Sequence, residues 1–253
     1  FTFAGTIDQN IITAGLTIDK PVTINKPSGG VLTIADAANI GSTRTTTLTA
    51  GNMSVNAAMN AQGTFTFTAG NLTANAALTT GAFNQAAGTY TVNAASSANI
   101  YTQNGGNIIL NSDLTVTSLN STGSAVRSIQ FGTSNINVTG TGTVVNMTTI
   151  TNLTANGTGN INITSTGNTS ISVIPGALVQ ANAINYNFTG GNYALSLTAG
   201  NVKNLNFTGF AGTVNDSAMT IFGNLPLSSG MTRTAGNAAY TFASTATQYI
   251  TSH

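Results

Sequence analysis

The sequence predicts an all-β chain, a single-domain parallel β-helix or related β-solenoid. Three observations carry that expectation: charge is scarce, the apolar residues sit in brief segments of period two, and a loose unit recurs along the chain. Charged residues make up 4% of the 253 residues, against roughly 25% in ordinary soluble domains. There are six Lys or Arg, five Asp and no Glu, for a formal net charge of +1. Hydration must therefore rest on Asn, Thr, Ser and Gln. Leu, Glu, Lys and Arg are too sparse to favour helix, whereas Thr, Asn, Val, Ile and Gly suit short strands and turns.

The strand candidates have the form apolar–polar–apolar, two side chains inward and one outward. They begin with Phe1-Thr2-Phe3-Ala4-Gly5, read as strand then turn, and continue through Leu16-Thr17-Ile18, Val22-Thr23-Ile24 and Thr64-Phe65-Thr66-Phe67-Thr68. Tyr90-Thr91-Val92, Leu114-Thr115-Val116, Ile136-Asn137-Val138, Ile161-Asn162-Ile163, Ile171-Ser172-Val173, Leu195-Ser196-Leu197 and Leu205-Asn206-Phe207 follow the same rule. Gly, Asn, Ser and Thr separate them, as turns require. Lys26-Pro27-Ser28-Gly29-Gly30 and Ile174-Pro175-Gly176 are the clearest turn candidates.

Thr-Ala-Gly-Asn occurs at 49–52, 68–71, 198–201 and 234–237, and Asn71-Leu72-Thr73-Ala74-Asn75 returns as Asn152-Leu153-Thr154-Ala155-Asn156. Leu32 is followed 16 residues later by Leu48. A unit of about 16–20 residues reads as one solenoid coil, which cannot bury its apolar residues alone and must stack on the next. Dividing the length by that unit gives roughly 13 coils and a rod on the order of 60 Å long. Stacked turn asparagines can bond amide to amide. Residues 1–201 read as regular coils. Residues 202–253 read as C-terminal coils enriched in Phe207, Phe210, Phe222, Tyr240, Phe242 and Tyr249, either a differently shaped terminal coil or an interface. Neither end shows a polar cap for its open sheet edge. The chain also starts without Met and in mid-pattern. A processed product or a fragment of something longer is the expectation.

Two stretches resemble repeat segments of large phage virion proteins, tail-associated and fibre-like. They are Leu205-Asn206-Phe207-Thr208-Gly209-Phe210-Ala211-Gly212-Thr213 and Ile221-Phe222-Gly223-Asn224-Leu225-Pro226-Leu227-Ser228-Ser229-Gly230-Met231-Thr232. Haemagglutinin-type bacterial adhesins share the style. The resemblance implies a virion or cell-surface location and a structural or host-contacting role. Its partners would be copies of the same chain, a trimer if the phage likeness holds, other surface proteins, or host glycans.

Catalytic chemistry has little to work with. Cysteine is absent, and the one histidine is the last residue, His253, where chains usually fray. Asp19 and Asp36 lie 17 residues apart, and on adjacent coils they would sit about 5 Å from each other. That spacing suits a retaining glycosidase and keeps a polysaccharide depolymerase as an alternative. The plainer reading places both at turns, paired with Lys20, Lys26 or Arg44. The Asp residues are too scattered for a calcium loop. Thr45-Thr46-Thr47 with Thr64, Thr66 and Thr68 could line one flat face, as in ice-binding solenoids, although Thr is simply a favoured outward strand residue. Sequons such as Asn52, Asn71, Asn137, Asn162 and Asn206 arise from composition. No basic patch serves nucleic acid, and the strands are too short for a membrane barrel. The expectation is a non-enzymatic structural or adhesive protein without cofactor, catalytic residue or metal, whose ligand-binding residues the sequence does not identify. A secreted passenger-type adhesin is the nearest alternative.

Overall fold

The computed structural model describes residues 1–27, 29–147, 152–172, 183–234 and 238–252. Every regular element among them is a strand, and the paired strands run parallel in stacked sheets that form a β-solenoid of about 11 turns. The chain divides into two compact units, Phe1–Thr115 with Ala125–Gln130, and Val116–Ser124 with Phe131–His253. Strand Gly200–Val202 runs through the point where the aromatic content rises, so that change is not marked by a break.

In the first unit each coil turns through three faces. One face stacks Gln9–Ile11, Val31–Ile34, Asn52–Val55, Asn71–Ala74, Thr89–Val92, Gly106–Leu110 and Arg127–Gln130. A second stacks Thr2–Ala4, Val22–Asn25, Thr46–Ala50 and the later halves of Met59–Phe67, Leu78–Gln85 and Ser96–Gln103. The earlier halves of those three long strands join Thr17–Ile18 and Ala38–Ile40 on the third. Period-two alternation turns every second residue inward. Leu32, Met53, Leu72, Tyr90, Ile108 and Ile129 form one inner column, each no more than 1% exposed. Phe65, Phe83 and Tyr101 form another, with ring centroids 5.0 Å apart in each successive pair and planes within 8°. Rings in offset stacks gain about 0.5–1.5 kcal/mol beyond their buried area.

The Thr-Ala-Gly-Asn repeat is a corner. Gly51 and Gly70 take φ of +91° and +98°, and a Cβ on Gly70 would lie 2.0 Å from the Gly51 carbonyl oxygen. Only glycine allows both the left-handed turn and that approach. The next residue opens the strand, with Asn52 opposite Asn71. Thus the 19-residue offset read from the sequence is a true coil step. Leu32 and Leu48 are not such a pair: Leu32 faces Met53, while Leu48 faces Phe67 on another face. Steps run from 18 residues, Leu72 to Tyr90, up to 27, Gly142 to Thr169. Longer corners lengthen many coils without altering the strands, which is why about 11 turns are found where 13 were expected. Asn71-Leu72-Thr73-Ala74 and its near-copy Leu153–Asn156 both form strands with Leu and Ala inward.

In the second unit, Ile136–Val138, Asn160–Ile163, Asn185–Phe188 and Leu205–Asn206 stack in order. Gly142–Asn146, Thr169–Ser172, Ala194–Leu197, Thr213–Asn215 and Thr232–Arg233 stack on another face. Phe207 and Phe210 are 1% and 0% exposed, so these two aromatics belong to the core, with Phe188 stacked 5.0 Å from Phe207. Tyr249 is exposed. Val173, the turn at 174–176 and residues 235–237 of the last Thr-Ala-Gly-Asn copy lie outside the described residues, as does Ser28 of the Lys26–Gly30 turn.

Several buried polar side chains are held by backbone carbonyls. Gln85 and Gln103 are fully buried, and each Nε2 donates to two backbone carbonyls, those of Gly88 and Asn107 and of Gly106 and Ser128, at 3.0–3.1 Å. The hydroxyl of Tyr101 donates to Gln85 Oε1. Lys26, expected as a partner for aspartate, is instead buried with its Nζ donating to the Ile7 carbonyl at 2.6 Å.

Replacing Phe83 with Ala removes the middle ring of three and leaves a void that two fixed backbones cannot close. Denaturant unfolding of Phe83→Ala should show a loss of about 3–5 kcal/mol.

Candidate functional site

The most regular outward surface lies in the second unit. Four coils share the motif Asn–apolar–Asn–apolar–Thr: residues 135–139, 160–164, 185–189 and 204–208. The apolar residues point inward, and Ile136, Val138, Ile161, Ile163, Tyr186, Phe188, Leu205 and Phe207 are all buried. The polar residues stack in register: Asn137, Asn162, Asn187 and Asn206 form one outward column, while in the next Asn160 stands opposite Asn185, which is buried with its Nδ2 donating to the Gly159 carbonyl at 3.1 Å. Asn162 Nδ2 donates to Asn137 Oδ1 at 2.9 Å, and Asn187 Nδ2 to Asn162 Oδ1 at 3.3 Å. In the neighbouring column Asn160 Nδ2 donates to Asn135 Oδ1 at 3.0 Å, and Asn204 Nδ2 to Asn185 Oδ1 at 2.7 Å. Asn224 continues it through its backbone N–H, which donates to Asn204 Oδ1 at 2.7 Å.

An amide has two N–H groups and two acceptor lone pairs. Within a column Asn162 uses one of each on its neighbours, leaving one donor and one acceptor for solvent or a ligand. Coils repeat about every 4.8 Å, and alternate residues along a strand lie about 6.6 Å apart. The result is a flat lattice of uncharged donors and acceptors. At its Thr margin opens a cleft of about 420 Å³, lined by Thr164, Ser165, Thr166, Thr189 and the Gly190-Gly191-Asn192 turn. Sequence reasoning found three of these strands and foresaw amide ladders at turns, but did not join the strands into a repeat. The signal was the five-residue motif itself, hidden by coil steps of 25, 25 and 19 residues.

The first unit has its own columns. At one corner Asn75, Asn93 and Asn111 each donate Nδ2 to the preceding asparagine, Asn56, Asn75 and Asn93, at 2.9, 2.7 and 2.8 Å. On the second face Thr2, Thr23, Thr47, Thr66, Asn84 and Thr102 stack in register. Thr47 and Thr66 of the anticipated threonine face therefore do align, whereas Thr46 is buried in the core with no hydrogen-bond partner for its hydroxyl.

Asp19 and Asp36 do not stack. Asp19 lies against Gly41 of the next coil and binds Arg44, Nε to Oδ1 at 2.7 Å. Asp36 occupies a different corner, accepting the backbone N–H groups of Thr13 and Ala14 at 2.7–3.0 Å. The Asp36 carboxyl is held below its ordinary pKa chiefly by the Thr13 N–H, and that of Asp19 chiefly by the hydrogen bond from Arg44. A third cluster, not foreseen, joins Arg233 Nε to Asp216 Oδ2 at 2.7 Å, with the Tyr240 hydroxyl donating to the same oxygen. The Arg233 guanidinium lies 4.5 Å above the Tyr240 ring. Among the described residues no three His, Cys, Asp or Glu gather as metal ligands, and His253 lies outside them.

No protein-family model, curated protein or solved structure matches this chain.

Because folding depresses the Asp19 and Asp36 pKa values, both carboxylates stabilise the folded chain at neutral pH. That contribution fades as pH falls from the unfolded value near 3.9 through the folded one. Thermal melting of Asp19→Asn/Asp36→Asn against acid pH should fall less steeply than that of the parent. At neutral pH, Asn75→Ala should lower stability by about 1 kcal/mol, since it breaks two ladder bonds at a solvated corner.

Proposed function

We propose that this chain is a non-enzymatic structural and adhesive element of a virion or cell surface, in the manner of a phage fibre or tail-associated component. The observation that carries the reading is the division of labour across most of the strands. Inward residues are consumed in stacking coil on coil, and outward residues form uncharged hydrogen-bonding columns. Extensive parallel pairing makes each unit stiff and leaves few unpaired backbone groups for a protease to engage. The columns supply many weak, identical contacts, the form of surface suited to repetitive partners such as glycans. Assembly with copies of itself draws support from the apolar side chains Phe1, Ile7, Ile12 and Leu16 of the first unit, each at least 65% exposed.

The test is localisation. Antibodies raised against the chain should label the outer surface of intact virions or intact producing cells in immunogold images. The same chain should survive proteinase K under native conditions. Labelling confined to the interior of lysed cells would overturn the reading.

A further inference from the structure

We infer that the Asn–apolar–Asn–apolar–Thr face of the second unit binds a neutral, extended polysaccharide whose chain runs across the coils, about one sugar per coil. The inference rests on the adhesive reading above and gives it a site and a ligand class. Three features converge on it.

The first is charge. Among its described residues the second unit holds only Lys203, Asp216 and Arg233 as Lys, Arg or Asp, and Asp216 and Arg233 pair with each other. Sulfated or uronic-acid polymers would find almost no countercharge. The second is the chemistry of the surface. Its outward positions are amides and hydroxyls, and the adjoining cleft is lined by Thr, Ser, Gly and Asn. A protein partner would bury little apolar area here, and the core of a protein interface needs apolar anchors. A polyol needs what the face has, alternating donors and acceptors. The third is repetition. Asn162 keeps one donor and one acceptor lone pair, and Asn187 one donor and both acceptor lone pairs, at the same place on successive coils. The coil rise of about 4.8 Å is comparable to the length of one sugar in an extended chain, so a polymer meets the same contacts again and again.

No aromatic platform backs these contacts, so each is weak and strength comes from number. Linking weak sites raises avidity by on the order of 10² or more without any new type of contact. The cleft beside Thr164 and Thr189 gives the chain a lateral stop. Ser165 is fixed at its floor, its Oγ accepting from Thr169 Oγ1 at 2.7 Å.

The test uses the whole chain with insoluble cellulose and chitin, and with length series of cello- and chito-oligosaccharides. Retention on at least one solid, with affinity rising about a hundredfold from the disaccharide to long oligomers, is the expected result. The triple variant Thr139→Ala/Thr164→Ala/Thr189→Ala removes three margin hydroxyls, two of which also donate long bonds to the Val116 and Val138 carbonyls at 3.3 and 3.4 Å. It should keep the parent's circular dichroism and lose only a little in melting temperature, yet bind about tenfold more weakly. Competition by a monosaccharide as strong as by the polymer would overturn the inference, as would no retention on either solid. If retention were lost instead in Thr23→Ala/Thr47→Ala/Thr66→Ala, the binding face would be the first unit's and this assignment would fall. The adhesive reading would survive that result. Surface labelling without any polysaccharide binding would likewise sink the ligand and leave the surface role intact.

Discussion

Parallel backbone pairing between successive coils holds neighbouring strands about 4.8 Å apart, and this spacing governs the rest of the molecule. Each side chain is forced to lie against its counterpart one coil on. Only certain residues tolerate that company. Apolar groups do so by packing, as Leu32, Met53 and Leu72 do. Rings do so by stacking, as Phe65, Phe83 and Tyr101 do. Amides do so by bonding in ladders. Ionised groups of one sign do not, since like charges in a column repel. The composition, with 4% charged residues, is a consequence of the architecture rather than an independent trait.

The same spacing decides where the few charges go. None of Asp19, Asp36 and Asp216 sits in a like-charged column. Each is at a corner or loop with its own partner: Arg44, the Thr13 and Ala14 N–H groups, and Arg233. Lys26 leaves the surface altogether for a backbone carbonyl. A carboxylate pair on adjacent coils would have to sustain the repulsion that the rest of the chain avoids.

Fold class was legible because it depends on local pattern. Apolar–polar–apolar strands and the Gly51 and Gly70 corners are written in a few consecutive residues, and the Thr-Ala-Gly-Asn offset gave a true coil step. Coil count was less legible. Corner loops vary in length, so a repeat judged by distance along the chain joined Leu32 to Leu48, two residues on different faces. The candidate face was half legible. Three of its four strands were recognised one at a time, but their common motif returns after unequal steps and so escaped a search for a fixed period. The inward turning of Gln85, Gln103 and Lys26 could not be read at all. Their burial depends on carbonyls left over at corners, which no local pattern announces.

Every side-chain ladder bond described between asparagines runs one way: the later coil donates to the earlier, from Asn111 to Asn93 to Asn75 to Asn56, and from Asn187 to Asn162 to Asn137. Small dipoles aligned head to tail add, as peptide dipoles do along a helix. Each column thereby has a positive pole and a negative pole, although the chain carries hardly any net charge. A rotation that superposed one pole on the other would not restore the molecule. The surface has a compass sense, and a directional polymer laid along it would not be indifferent to which way it points.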